Sequence, residues 1–320
     1  MTNPIRVAVA GEALIDLIAS QDGTFTPCLG GAVYNLARAL SRQGIGVTYL
    51  NPLSSDRFGR LLAEQLAVDG VHLAQPNPVQ AVTSLAVVNL DERGHPDYAF
   101  YRQGVADRLI SAQGLQAATA KQPHIELVCT GALALDARDQ DHYIPWLKAQ
   151  KQAGHWVVVD ANLRPSVMPD LDTYRASIHQ ALALADIIKV SDEDLVHLEL
   201  TGDSPLACAK ALLQQTSAQL VALTLGEHGA WLLTRDGVAC FGKEPSTLKV
   251  ADTVGAGDSF LASLLSALLT HGRELSSEAL VQQLLRHAIA SASLCVQEKG
   301  CVPPTWSQTE AWAQKHPILF

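Results

Sequence analysis

Asp252-Thr253-Val254-Gly255-Ala256-Gly257-Asp258-Ser259-Phe260 is followed directly by the helical pattern Leu261–Leu269. Three small residues in a row leave backbone N–H groups unobstructed. A helix that begins there turns its unpaired donors, and the positive end of its dipole, toward one point. That geometry suits an anion such as a phosphate or a phosphoryl group in transfer. Asp258, at the helix start, is placed to take a proton from a hydroxyl nucleophile. Local physics leaves a second reading level with the first: a Gly-rich turn with an ordinary acid in the first helical turn. The rest of the chain has to decide between them.

Working outward, short strand-like runs alternate with helix-like ones, the pattern of an α/β domain with a mainly parallel sheet. Strands are expected at Arg6–Ala10, Val47–Leu50, Glu126–Cys129, Trp156–Asp160, Ile187–Val190 and Leu220–Thr224, with Ala230–Leu233 continuing as an apolar strand. They are apolar on both faces, as buried parallel strands are. Helices are expected at Tyr34–Gln43, Arg57–Asp69, His142–Ala153, Asp172–Ala185, Asp192–Leu200, Pro205–Gln214, Ser259–Leu269 and Leu280–Val296, many of them rich in Ala, Leu and Gln. Two segments break the alternation. Leu14–Ser20 with Thr24–Thr26, and Thr83–Asp91 with Tyr98–Tyr101, look like antiparallel pairs joined by turns. They are expected to form a small β lid from two insertions, at about residues 12–30 and 82–108. No linker rich in Pro, Gly or Ser divides the chain, so one large domain spanning residues 1–320 is expected.

Composition narrows the classes. With 48 % hydrophobic and 17 % charged residues, disorder is excluded. A net charge of −9 and the absence of any long basic run argue against a nucleic-acid or anionic-membrane binder. No stretch approaches the about 18 to 20 apolar residues of a membrane span. The start of the chain reads as a first strand rather than a signal peptide. Six scattered cysteines, no two at CxxC spacing, read as reduced thiols of a cytoplasmic protein and mostly as small core residues. The chain contains no GxxxxGK[ST], no GxGxxG after a strand and no HExxH, which weighs against P-loop NTPases, dinucleotide-binding enzymes and zincin proteases. Ala10-Gly11-Glu12-Ala13 does not supply the Gly-rich loop a nicotinamide enzyme would need.

Taken in order along the chain, several motifs resemble one family. Asp252–Asp258 resembles the C-terminal signature of the ribokinase-like (PfkB) carbohydrate kinases, and Gly30-Gly31-Ala32-Val33-Tyr34-Asn35 is similar to their N-terminal Gly-Gly-x-x-x-Asn element. Asp56-Arg57-Phe58-Gly59 resembles the segment after the second strand. Asp160-Ala161-Asn162-Leu163-Arg164 resembles their Asp-x-Asn-x-Arg element, and Thr224-Leu225-Gly226-Glu227-His228-Gly229 their nucleotide loop. The resemblance implies a three-layer α/β/α ribokinase-like fold and ATP-dependent phosphorylation of a sugar primary hydroxyl. Asp258 would be the general base, and the N–H groups of Gly255, Ala256 and Gly257 the anion hole.

The resemblance also implies a sugar site built from Asp16, Gly30, Gly31, Asn35, Phe100, Arg102, Asp160, Asn162 and Arg164. Asp and Asn suit a polyol because they pair with neighbouring hydroxyls. Each has a plainer alternative: Asp16 as a strand-end turn residue, Asn35 as a helix-start residue, and the two arginines as salt-bridge partners of Asp107 or Asp160. On the nucleotide side it implies Lys189, Ser191, Thr224, Gly226, Gly229 and His287, with Mg²⁺ supported through water by Asp194 and K⁺ near Asp252. Ser191 with its acidic neighbours would serve equally as a helix cap. His287 at helical spacing with Leu284 reads more simply as structural. Phe100-Tyr101-Arg102 with Ala106-Asp107 resembles fructokinases, pointing to fructose. The alternatives are 2-keto-3-deoxygluconate kinase, ribokinase or another sugar kinase, and a catalytically silent sugar-binding regulator. Alternating apolar residues of the lid (Leu85, Val87, Leu90) suggest a homodimer formed through it.

Overall fold

Alternate residues of the first strand, β1 (Ile5–Val9), face two different cores: Val7 and Val9 belong to one buried cluster and Ala8 to another. That period-two split is what a central sheet covered on both faces requires. The computed structural model describes residues 4–20, 22–90, 96–165 and 168–318. After β1 come β2 (Leu14–Ala19), β3 (Phe25–Gly30), α1 (Ala32–Arg42), β4 (Gly46–Tyr49), α2 (Arg57–Val68), β5 (His72–Leu73), β6 (Ser84–Leu90) and β7 (Pro96–Tyr101). The middle of the chain forms α3 (Ala112–Ala120), β8 (Leu127–Gly131), α4 (Gln140–Gln152), β9 (Trp156–Asp160), α5 (Leu171–Leu184), β10 (Ile187–Ser191), α6 (Asp192–His197) and α7 (Pro205–Gln215). The last part forms β11 (Leu220–Thr224), β12 (Ala230–Thr234), β13 (Ala239–Gly242), α8 (Ala256–His271), α9 (Glu278–Cys295) and α10 (Trp306–Lys315).

Among the described residues the main sheet has nine strands in the order β13-β12-β11-β10-β9-β8-β1-β4-β5. Its strands from β11 to β5 run parallel, and β12 and β13 close one edge as antiparallel strands. One face is covered by α1, α2, α8 and α9, the other by α3, α4, α5 and α7. No helix of the described residues is long and apolar enough to cross a membrane. The expected strands and helices are present. β5, β13, α3 and α10 were not expected from the sequence, because each is short or only weakly amphipathic.

The second sheet runs β3-β2-β6-β7. Both hairpins are antiparallel as expected, but they join through β2 and β6 in parallel. The reason lies in the main sheet: β2 follows β1 and β6 follows β5, and those two strands point the same way. The register pairs Asp16 with Ala86 and Ala86 with Phe100, so these residues share one face with Leu14. That face meets Leu133 and Met168 of the body. On the other face Leu17, Leu29 and Leu85 pack against the main core. The expected turn at residues 21–23 includes Gln21, and that at 92–96 includes residues 92–95; these lie outside the described residues, as does the side chain of Leu90.

Helix α8 is apolar on every side, with Asp258 through Leu269 all buried, and it packs between α1 and α9. Helix α1 is locked to it from behind. Arg38 Nε donates to Asp69 Oδ2 at 2.7 Å and its Nη1 donates to Cys301 O at 3.2 Å, while Arg42 Nη1 reaches Asp69 Oδ1 at 3.2 Å. Asp69 is therefore the shared counter-ion of two arginines, one of them buried. Asp69→Ala leaves Arg38 buried without its carboxylate and should lower unfolding free energy by about 3 kcal/mol, read from urea denaturation. A loss below about 1 kcal/mol would mean the pair behaves as an exposed one.

Candidate active site

The parallel strands β1, β9 and β10 all end at one cavity of about 280 Å³, the place where open α/β sheets present ligand sites. Its walls carry Glu12, Leu14 and Asp16 from the end of β1 and from β2, Gly31 and Asn35 from the start of α1, and Phe100 from β7. Asn162 and Arg164 follow β9, Lys189 stands on β10, and Thr253, Val254, Gly255, Gly257 and Asp258 come from the loop into α8. Of the residues picked out from sequence, Asp16, Gly31, Asn35, Phe100, Asn162, Arg164, Lys189, Gly255, Gly257 and Asp258 are thus brought to one cavity.

The loop into α8 owes its shape to Gly255, which caps the helix at φ +79° in the left-handed region. A Cβ there would also collide with Cys301 Sγ. The bend brings Gly255, Gly257 and Asp258 to the cavity wall. Asp258 sits within that first turn, 8 % exposed, and Asn35 Nδ2 donates to its Oδ2 at 3.1 Å. Burial pushes the Asp258 carboxyl up to about 7 and Asp160 adds to the rise, while Lys189, Asn35 and Arg164 pull it back. Lys189 Nζ lies 3.0 Å from Asp160 Oδ1, and 3.1 Å from the point a Gly257 Cβ would occupy. Burial works against its charge, but Asp160, Asp194 and Asp258 outweigh that and hold its pKa above the ordinary value. An ammonium is therefore fixed directly against the first turn of α8.

At the other end of the cavity Asp16 is raised to about 6 by burial, with Arg164 opposing. Glu12 went unremarked as a site residue in the sequence. Its Oε1 accepts from Ala32 N at 3.0 Å, and its Oε2 has no hydrogen-bond partner among the described residues. Burial pushes its carboxyl up to about 7. Its carbonyl oxygen stands 2.7 Å from where a Cβ of Gly31 would lie, and Gly31 has φ +105°, so the Gly-Gly element folds tightly over this residue. The signal was available: an acid directly after an apolar buried strand has to meet a partner.

The remaining expected residues lie nearby but outside the cavity wall. Gly30 pairs with Leu14 and lies against the Asp16 carboxylate. Ala256 is the first residue of α8. Asp160 is the partner of Lys189. Arg102 is buried in the small sheet's own network, with Nη2 3.3 Å from Asp107 Oδ2 and Nη1 donating to Leu133 O at 3.1 Å. It does not converge with Arg164; it borders a neighbouring cleft beside Arg138 and Met168. Ser191 caps α6 and its N–H donates to Asp194 Oδ2 at 2.8 Å; Asp194 Oδ1 accepts from Leu163 N at 2.8 Å. Both oxygens of Asp252 are likewise engaged, by Val254 N and Gly300 N at 3.0 Å each. Thr224 ends β11, and Gly226 and Gly229 frame the turn that follows. His287 faces away, stacked on Trp306 with centroids 4.5 Å apart.

Three comparisons bear on this arrangement. The sequence profile described as pfkB family carbohydrate kinase matches residues 5–308. Probable fructokinase-4 of Arabidopsis thaliana is 31 % identical over 312 residues, covering 94 % of each chain. The crystal structure of fructokinase with bound ATP from Xylella fastidiosa superposes with a TM-score of 0.85 at 26 % identity, covering 98 % of this chain and 99 % of that one. Fructokinase from Vibrio cholerae, solved with fructose, ADP and calcium ion, gives 0.79 at 25 % identity, covering 97 % and 99 %. The fold is ribokinase-like.

The raised Asp258 carboxyl has a consequence for stability that does not depend on any reaction. The folded state holds a proton on it that the unfolded chain, with a carboxyl near 3.8, releases. Its stability contribution is therefore greatest below pH 4 and is lost as pH rises through about 7. Asp258→Asn removes that dependence and should stabilise the ligand-free protein by about 2 kcal/mol more at pH 8 than at pH 5. Equal gains at both pH values, in paired urea titrations, would refute the raised carboxyl.

Proposed function

The chain belongs to the pfkB family of carbohydrate kinases and is a sugar phosphotransferase, and from that premise we propose that it is a fructokinase converting fructose and ATP to fructose 6-phosphate and ADP. The observation that carries the mechanism is Asp258, hydrogen-bonded to Asn35 and set beside the bend at Gly255. In this reading the carboxylate takes the proton of the sugar's primary hydroxyl as that oxygen attacks the γ-phosphorus. The N–H groups of Gly255, Ala256 and Gly257 receive the negative charge that develops on the transferring group, and Lys189 adds a fixed cation beside them. The base works near neutral pH because burial has lifted its pKa to about 7.

Charge in the cavity supports a neutral sugar. Glu12, Asp16 and Asp258 all face it, against Arg164 and a Lys189 already paired with Asp160. Hydroxyls donate to such carboxylates, whereas the carboxylate of a sugar acid would meet like charge. Arg102 is paired with Asp107 rather than left for an acidic substrate. The small sheet, carrying Asp16 and Phe100, would act as the lid. ATP would reach Asp258 from the loops after β10 and β11, at Ser191, Thr224, Gly226 and Gly229, with His287 outside its site.

Mg²⁺ would arrive on the ATP phosphates with its own waters, a habit of this ion. Asp194, both of whose oxygens hold backbone N–H groups, would support Mg²⁺ through water, and the oxygens of Asp252, near which K⁺ would lie, are engaged in the same way. Pairing of two copies through the lid is part of the proposal, and a monomer by sedimentation equilibrium would remove it.

An ATP-coupled assay across fructose, glucose, ribose and 2-keto-3-deoxygluconate tests the substrate. Fructose should give the highest kcat/KM; the keto acid in first place would overturn that choice, and no turnover of any sugar with ATP still bound would favour a binding protein. Asp258→Asn should lower kcat by about 10²- to 10⁴-fold while ATP binding persists. In the unaltered enzyme kcat/KM should climb as pH rises through about 7, because the base must be ionised. A flat profile from pH 5 to 9 would remove Asp258 from that role.

A further inference from the structure

Helix α1 brings Asn35 to the carboxyl of Asp258, yet it starts at a residue with nothing to cap it. Its N-cap is Gly31, at φ +105° and with no side chain to accept from the first turn. That role falls to Glu12, 20 residues before Ala32 and between β1 and β2. Glu12 Oε1 accepts from Ala32 N at 3.0 Å, and its carbonyl oxygen accepts from Tyr34 N at 3.3 Å. One residue thus meets two of the donors that a helix start leaves unpaired. Asn35 N closes the first turn onto Gly31 O at 2.9 Å, and its side chain is left for Asp258, with Nδ2 3.1 Å from Oδ2.

The glycine and the acid depend on each other. A Cβ at position 31 would stand 2.7 Å from Glu12 O, so the residue that makes room for the Glu12 backbone is one that cannot cap the helix. An apolar side chain would fill the buried position of Glu12 without the cost of burying a carboxyl. What the carboxyl adds is the bond to Ala32 N.

We propose that Glu12 is a positioning residue for phosphoryl transfer, capping α1 from β1 and so holding Asn35 against Asp258. The inference rests on Asp258 as the base and adds a residue that acts on it through Asn35. Without the Oε1 acceptor the Ala32 N–H has no partner, and the first turn of α1 loosens. Asn35 then loses its fixed distance from Asp258, and the base loses a donor that favours its charged form.

The test compares Glu12→Ala, which removes the acceptor, with Glu12→Gln, which keeps Oε1. Both abolish the titration of Glu12 opposite Arg102 and Asp107, and both leave Asp160, Lys189 and Arg164 around Asp258. At saturating fructose and ATP, Glu12→Ala should lower kcat by about 10- to 100-fold, the scale of a misplaced reacting group, and Glu12→Gln should recover most of that loss. Glu12→Ala added to Asn35→Ala should cost little beyond Asn35→Ala alone, because the effect passes through Asn35. A second reading needs no reaction: the carboxyl ¹³C shift of Asp258, titrated in the ligand-free chain. Its midpoint should rise by about one pH unit in Glu12→Ala, the scale of a hydrogen bond to a carboxylate, and fall back in Glu12→Gln. An unmoved midpoint in Glu12→Ala, a Glu12→Gln as impaired as Glu12→Ala, or losses that simply add in the double variant would each overturn the proposal. A kinetic failure beside an inactive Asp258→Asn strikes Glu12 alone; beside an active one it strikes the base as well. Should Glu12→Ala not fold, deuterium exchange at Ala32 N in the unaltered chain decides: slow exchange supports the cap, and exchange as fast as in an open loop overturns it.

Discussion

An ionisable carboxyl at the buried start of the most buried helix is the constraint around which this molecule is arranged. α8 has no solvent face along Asp258–Leu269, so Asp258 cannot relieve its desolvation by turning outward. The positive end of the helix favours its charged form, and burial opposes it. Burial prevails and, with Asp160 beside it, raises the carboxyl to about 7, while Lys189, Asn35 from α1 and Arg164 after β9 keep it from rising further. Each is a polar group in an otherwise apolar layer, and each stays because another holds it. Loss of one leaves a buried partner unsatisfied rather than a neutral gap.

This arrangement also explains how an acidic protein can work on a polyanionic nucleotide. A net charge of −9 disfavours a second anion at long range. In the proposed site, however, the phosphates would meet the start of α8 and the Lys189 ammonium within a Debye length, in surroundings that screen poorly. Burial raises the acids of the cavity, Glu12 and Asp258 to about 7 and Asp16 to about 6, so at neutral pH Asp16 stays mostly ionised and the other two are partly so.

Much of the fold was legible because the physics behind it is local. β8 to β11 are short apolar runs, and only a sheet covered on both faces can bury them. The bend at Gly255 was legible as a Gly-rich turn before an apolar helix, and the motifs in order along the chain, not the loop alone, favoured one use of it. What the sequence hid depends on partners chosen in three dimensions. Arg102 and Arg164 look alike in sequence, yet Asp107 takes one of them and leaves the other to the cavity. His287 was likewise decided by Trp306, which a linear reading cannot bring beside it. Helix α10 is a different case. Thr305 and Gln308 make a capping box, a signal present in the sequence and simply outweighed there by the weak apolar stripe that follows.

The same burial that prepares the cavity for chemistry works against the empty protein. Glu12 Oε2 and Asn35 Oδ1 are buried acceptors without a donor among the described residues, and burial raises the neighbouring Asp16 and Asp258 carboxyls to about 6 and about 7. A ligand rich in hydroxyls supplies the missing donors and favours the ionised carboxylates at once. With Asp258 as the proposed base, sugar binding and its ionisation would then be coupled: the ligand that needs an ionised Asp258 would be the one whose hydroxyls make that ionisation easier. The cavity is least comfortable when empty, and the discomfort is concentrated at the atoms that a polyol would touch.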